Sequence, residues 1–131
     1  MRVMLDTNIL VSAFIFKSKK INELIEKLSN EHTIVIASYC INELQELIKS
    51  KFNVSKKSLN QFLLTFPFEL VYSPNDVEEK LFEIRDEADY IILHTAILED
   101  VDIFITGDKD FKDVEIERPE ILTTSEFLER Y

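Results

Sequence analysis

Two acids stand at the ends of hydrophobic runs. Asp6 closes Arg2-Val-Met-Leu-Asp6, and Asp108 closes Asp102-Ile-Phe-Ile-Thr-Gly-Asp108. Two more, Glu43 and Asp89, lie in stretches with helical periodicity. Carboxylates gathered into one pocket repel one another and resist ionising together. Divalent cations relieve that repulsion, and hard ones such as Mg²⁺ prefer oxygen ligands. Such a set is suited to holding a divalent cation through its oxygens. Competing chemistries lack their residues. His32 and His94 are the only histidines and Cys40 the only cysteine, which leaves no zinc cluster and no convincing hydrolase triad. A single glycine, Gly107, excludes glycine-rich phosphate cradles.

Positioning four acids from distant points requires a fold that gathers them. The residue pattern predicts strands over 2–6, 33–37, 68–72 and 102–106, with a short fifth over 121–123. Helices are expected between them, over roughly 8–16, 20–29, 38–51, 55–66, 76–85 and 87–99. Ser38 and Ser55 are the expected N-caps of two of these, and Ser125 of a final turn. Strands alternating with helices imply a parallel sheet covered on both faces. The expected fold is a three-layer α/β/α sandwich around a parallel sheet of four to five strands, one domain over residues 1–131. Ligands of such sheets bind beyond the carboxyl ends of the strands, where Asp6 and Asp108 fall. Gly107, directly before Asp108, is expected to supply a backbone conformation that other residues resist.

Each acid also has a purely structural alternative. Asp6 is a good N-cap for the following helix. Glu43 borders the stripe of Ile41, Leu44, Leu47 and Ile48, about 40° from Leu47; it is either a site acid or a flanking surface residue. Asp89 shares a face with Ile92, Leu93 and Ala96, yet with Asp86 as N-cap it also occupies a capping-box position. Its inward azimuth favours it over Asp86 as a ligand. Asp108 and Asp110 fit an ordinary polar turn, and Asp110 reads as local structure beside the site. His94, about 140° from Asp89 around the helix, reads as structural, and Cys40 as packing.

The charge of −10 is uneven: residues 1–57 carry +3 and residues 58–131 carry −13. The total argues against a simple nucleic-acid binder. Two basic knots, Lys17-Lys19-Lys20 and Lys49-Lys51-Lys56-Lys57, are available to phosphate or to solvent. The acidic half would suit a basic surface on a protein partner. No apolar run approaches the ~20 residues of a membrane span. The start predicts no signal peptide, and one cysteine fits a reducing, cytoplasmic setting.

Taken in order, Met4-Leu-Asp-Thr-Asn-Ile-Leu10, Ile41-Asn-Glu-Leu44, Arg85-Asp-Glu-Ala-Asp89 and Asp102-Ile-Phe-Ile-Thr-Gly-Asp-Lys-Asp-Phe111 resemble the four acidic motifs of PIN-domain nucleases, across about residues 2–123. The resemblance implies that Asp6, Glu43, Asp89 and Asp108 bind Mg²⁺ or Mn²⁺ and that the protein hydrolyses RNA phosphodiesters as an endoribonuclease. Many small members, the VapC-like group, are toxins held inactive by a protein antitoxin, and many form homodimers. Glu87-Ala88 departs from the third motif, where a proline or an extra acid is common.

Two other readings compete. A haloacid-dehalogenase-type phosphatase also places an aspartate after its first strand, but needs a second Asp where Asn8 stands. A PIN-like fold that has lost catalysis would serve only for protein docking; the presence of all four acids opposes it.

Overall fold

The computed structural model describes residues 1–74 and 80–131. Its centre is a five-stranded sheet, all parallel, in the order β3-β2-β1-β4-β5. The strands are β1 Arg2–Leu5, β2 Thr33–Ala37, β3 Glu69–Val71, β4 Ile103–Ile105 and β5 Glu120–Leu122. Central parallel strands are buried on both faces and so read as unbroken apolar runs: Val3–Leu5, Ile34–Ala37 and Ile103–Ile105 are fully enclosed. Register places Met4 between Val35 and Phe104.

Helices flank the sheet and give the expected three-layer α/β/α arrangement: α1 Thr7–Val11, α2 Lys19–Glu31, α3 Ser38–Lys51, α4 Lys56–Leu63, α5 Glu87–Leu98 and α6 Thr124–Arg130. Helix α2 packs on β2 and α6, whereas α3 packs on β2, α1, α4 and α5. Leu24 and Leu28 of α2, Leu44 of α3, Leu93 of α5 and Phe127 of α6 bring their side chains into the core. Burying each such side chain stabilises the fold by roughly 1.5–3 kcal/mol. No helix among the described residues is long and apolar enough to cross a membrane.

Several local expectations need correction. The first helix ends at Val11 and continues as a π-turn, Ser12–Phe16. Ser38 does not cap α3: Ala37 holds the N-cap position, and the Ser38 hydroxyl instead accepts the Ser73 amide, tying α3 to the end of β3. Ser55 does cap α4. Thr123, not Ser125, caps α6, because Glu126 three residues on completes a reciprocal capping box with it. Of the helix expected over roughly 76–85, residues 75–79 lie outside the described residues, and 80–85 are not helical. Tyr90 holds that stretch, accepting the Leu81 amide at 2.8 Å and stacking on Phe82.

The strand order is what creates a site. From β1 the chain winds outward through β2 to β3, then crosses back to β4 and proceeds to β5. The switch point lies between β1 and β4, where diverging connections leave a crevice at the carboxyl ends. The Asp6 amide extends the β1–β4 pairing by donating to the Ile105 carbonyl at 3.0 Å. That bond places Asp6 at the mouth of the crevice.

Candidate metal centre

Asp6 is 4% exposed and has both oxygens engaged. Oδ1 accepts the Thr7 amide at 2.8 Å, the N-cap role anticipated for it. Oδ2 accepts the Thr106 hydroxyl at 2.7 Å. Burial pushes its carboxyl up to about 6, against the two hydrogen bonds and with help from the charges of Glu43 and Asp108. Asp6 is thus both cap and crevice acid; the two readings do not compete.

Asp89 faces inward from the first turn of α5, as its azimuth implied. Asp86 takes the N-cap work, accepting the Ala88 amide at 2.8 Å, so Asp89 is left free of capping. Its carboxyl is pushed up to about 7 by burial and then by the charges of Asp108, Asp86, Asp6 and Asp110. Asp108 caps the short 3₁₀ turn Lys109–Phe111, accepting the Asp110 amide at 2.9 Å. Asp89, Asp108 and Asp110 each bring a carboxylate oxygen within 4.8 Å of the others. Asp6 and Glu43 stand outside that trio but within its field, through the couplings that raise Asp6. Glu43 is half-buried on α3. The structure therefore gathers Asp89 with Asp108, flanks them with Asp6 and Glu43, and adds Asp110.

Sequence reasoning undervalued two residues. Asp110 reads from the sequence as local structure or a support just behind the ligands; it does pair with Arg85 at 3.1 Å, but it also completes the trio. Thr106 went unremarked as the last residue of a strand run. Its buried hydroxyl donates to Asp6 and accepts the Asp108 amide at 3.0 Å, joining the two strand-end acids. A polar residue ending an apolar run between two acids was the available signal. Gly107, by contrast, does not take a positive φ, and an added Cβ would meet no atom within 4 Å. The Thr106–Asp108 hydrogen bond shapes the turn that glycine was expected to permit.

Charge compensation differs between the two ends of the sheet. At the amino end, Asp102 accepts the Arg2 amide at 2.8 Å and pairs with Arg118 at 2.7 Å, while Arg2 reaches Glu69 at 2.8 Å. At the carboxyl end, among the described residues, the acids meet one cation: Arg85, whose side chain is 86% exposed. A set made only of carboxylates, with Asp6 and Asp89 raised by burial and then by their neighbours' charges, fits a hard divalent cation through its oxygens. His94 is buried against Tyr90, away from this set. Cys40 is enclosed in the core, its thiol pushed up to about 12 by burial.

Comparisons with known proteins bear on the fold and the family. No curated protein matches the sequence. Among solved structures, VapBC2 from Rickettsia felis, crystallised bound to a DNA fragment from its promoter, matches with a TM-score of 0.71 and 26% identity, covering 93% of this chain and 97% of that one. The family profile described as PIN domain matches residues 2–110, a span that contains every acid of the crevice; the chain belongs to the PIN-domain family.

Proposed function

We propose that the protein is a Mg²⁺- or Mn²⁺-dependent endoribonuclease that hydrolyses RNA phosphodiester bonds, and that it is the toxin member of a toxin–antitoxin pair. The observation that carries the catalytic part is the convergence of carboxylates at the switch point, with Asp89, Asp108 and Asp110 within 4.8 Å of one another and a single exposed cation, Arg85, beside them. Asp89, Asp108 and Asp110 would hold the cation, with Asp6 and Glu43 completing the ring of charge. When bound, the cation activates the attacking water and neutralises charge on the leaving oxygen.

The protein's own residues do the rest. Thr106 and Thr7 hold the Asp6 carboxylate in one orientation through its two oxygens. Each oxygen retains a lone pair for the crevice. Asp89, carried over the crevice by the first turn of α5, would hold the cation together with Asp108 and Asp110. The acids repel a polyanion until the cation arrives, so RNA binding should require metal.

Membership of the PIN-domain family supports the nuclease reading, and likeness to VapBC2 supports the toxin role with a protein antitoxin as partner. The test is incubation of labelled single-stranded RNA with the protein in Mn²⁺ or in EDTA. Cleavage in Mn²⁺ alone supports the proposal. Intact RNA in both, with no metal-induced rise in melting temperature, would instead favour a protein-docking role.

A further inference from the structure

Segments 7–22 and 47–68 hold seven lysines and no acid, in a chain that carries 25 acids. Folding joins the two segments through their aromatic rings. Phe14 packs on Phe62 with ring centres 4.8 Å apart, and Phe16 meets Phe52 edge-on at 6.3 Å. Both basic knots therefore border one face, where the π-turn ends and where α3 gives way to α4. Lys17, Lys49, Lys51, Lys56 and Lys57 are exposed there and make no ion pair among the described residues. Between the end of α3 and the start of α4 lies a cleft of about 470 Å³, lined by Lys49, Phe52, Asn53 and Lys56. Glu46 is the one acid on its wall, and Glu26 shares the neighbouring groove with Lys17.

We propose that this face is a remote anchor for single-stranded RNA, holding a strand whose scissile phosphate lies in the metal-loaded crevice; this rests on the nuclease reading. Charge selects a polyanion, because lysines without partner acids release counterions when a phosphate backbone lies on them. The rings select an unpaired strand. Phe16 is 66% exposed, and an aromatic ring among lysines is a stacking platform for a splayed base. A carboxylate-rich peptide would meet the lysines alone. The face is separate from the acids: Glu43 and Lys51 lie eight residues apart on α3, roughly 12 Å along its axis. Asp6 and Phe16 stand at opposite ends of α1 and its π-turn. Helices α1 and α3 pack together, so both lead from the crevice to this one face.

The test is cleavage, at saturating Mn²⁺, of a mixed-sequence single-stranded oligoribonucleotide long enough to reach from the crevice to this face. Lys49→Ala/Lys56→Ala should raise KM while kcat and Mn²⁺ affinity stay at their wild-type values. The slope of log kcat/KM on log salt should shrink by about 1.4, two phosphate contacts' worth for a single strand. Lys49→Arg/Lys56→Arg should restore both KM and slope. Phe16→Ala should raise KM by roughly 5- to 150-fold, the range for one lost stacked base, with the salt slope unmoved. Lys80→Ala/Lys112→Ala removes the same charge elsewhere and should behave as wild type. Wild-type KM in the Lys49→Ala/Lys56→Ala or Phe16→Ala protein would overturn the anchor and leave the nuclease reading standing. An equal change in the Lys80→Ala/Lys112→Ala control, which would trace the effect to net charge, would do the same. A wild type that neither binds nor cleaves RNA in Mn²⁺ would overturn the nuclease reading and this inference together.

Discussion

Thr106 donates its hydroxyl proton to Oδ2 of Asp6 across 2.7 Å, and so couples the end of β4 to the end of β1. Because the Thr106 hydroxyl oxygen also accepts the Asp108 amide, one side chain fixes two acids of the crevice. Thr106→Val keeps the shape and removes both bonds. It should destabilise the fold by about 1–3 kcal/mol, since the Asp108 amide loses its acceptor. Groups that orient metal ligands typically contribute 10–100-fold to affinity, so Mn²⁺ binding by calorimetry should weaken by a factor in that range. Thr106→Ser should restore most of it.

The raised carboxyls of Asp6 and Asp89, at about 6 and about 7, make metal-free stability depend on pH. Between the ordinary Asp value and these values the folded state binds more protons than the unfolded chain, so stability falls as pH rises through that window. The melting temperature in EDTA should therefore be higher near pH 5 than near pH 8. Added Mn²⁺ should raise it more at the higher pH, where the acids are charged. Asp6→Asn should flatten the slope in EDTA; an unchanged slope would show that Asp6 is not one of its sources.

Much of this was legible because the parallel sheet leaves a strong imprint: apolar runs ending in Asp6 and Asp108 fix both the strands and the end of the sheet where the site lies. Asp89 was readable from its azimuth against Ile92 and Leu93. What escaped depended on contacts between distant residues. Ser38 looks like an N-cap until Ser73 is brought to it from the end of β3. Thr106 looks like strand until Asp6 is beside it, and Asp110 looks like turn until α5 carries Asp89 over it. Gly107 misled for a different reason: a glycine next to a turn suggests a positive φ, whereas hydrogen bonding alone makes this turn.

Gly107→Ala is consequently expected to fold normally. Its φ is accessible to alanine and its Cβ would meet nothing, so reduced freedom of the unfolded chain should give a gain of about 0.4–1 kcal/mol in chemical denaturation. A clear loss would mean that the turn is built differently.

Asp102 and Asp108 bracket β4 and have opposite environments. Asp102→Asn weakens contacts with Arg118 and the Arg2 amide and should lower the melting temperature without changing Mn²⁺ affinity. Asp108→Asn should do the reverse, weakening metal binding while relieving repulsion on Asp89 and leaving the metal-free fold as stable or more so. Calorimetry and thermal melts on the pair separate the two ends of the sheet.

The most direct test of the central claim compares wild type with Asp6→Asn, purified identically, cleaving labelled single-stranded RNA with and without Mn²⁺. Cleavage that requires both the metal and the Asp6 carboxylate is the predicted result. Equal, metal-dependent cleavage by Asp6→Asn would contradict the assignment of the crevice acids as the catalytic centre.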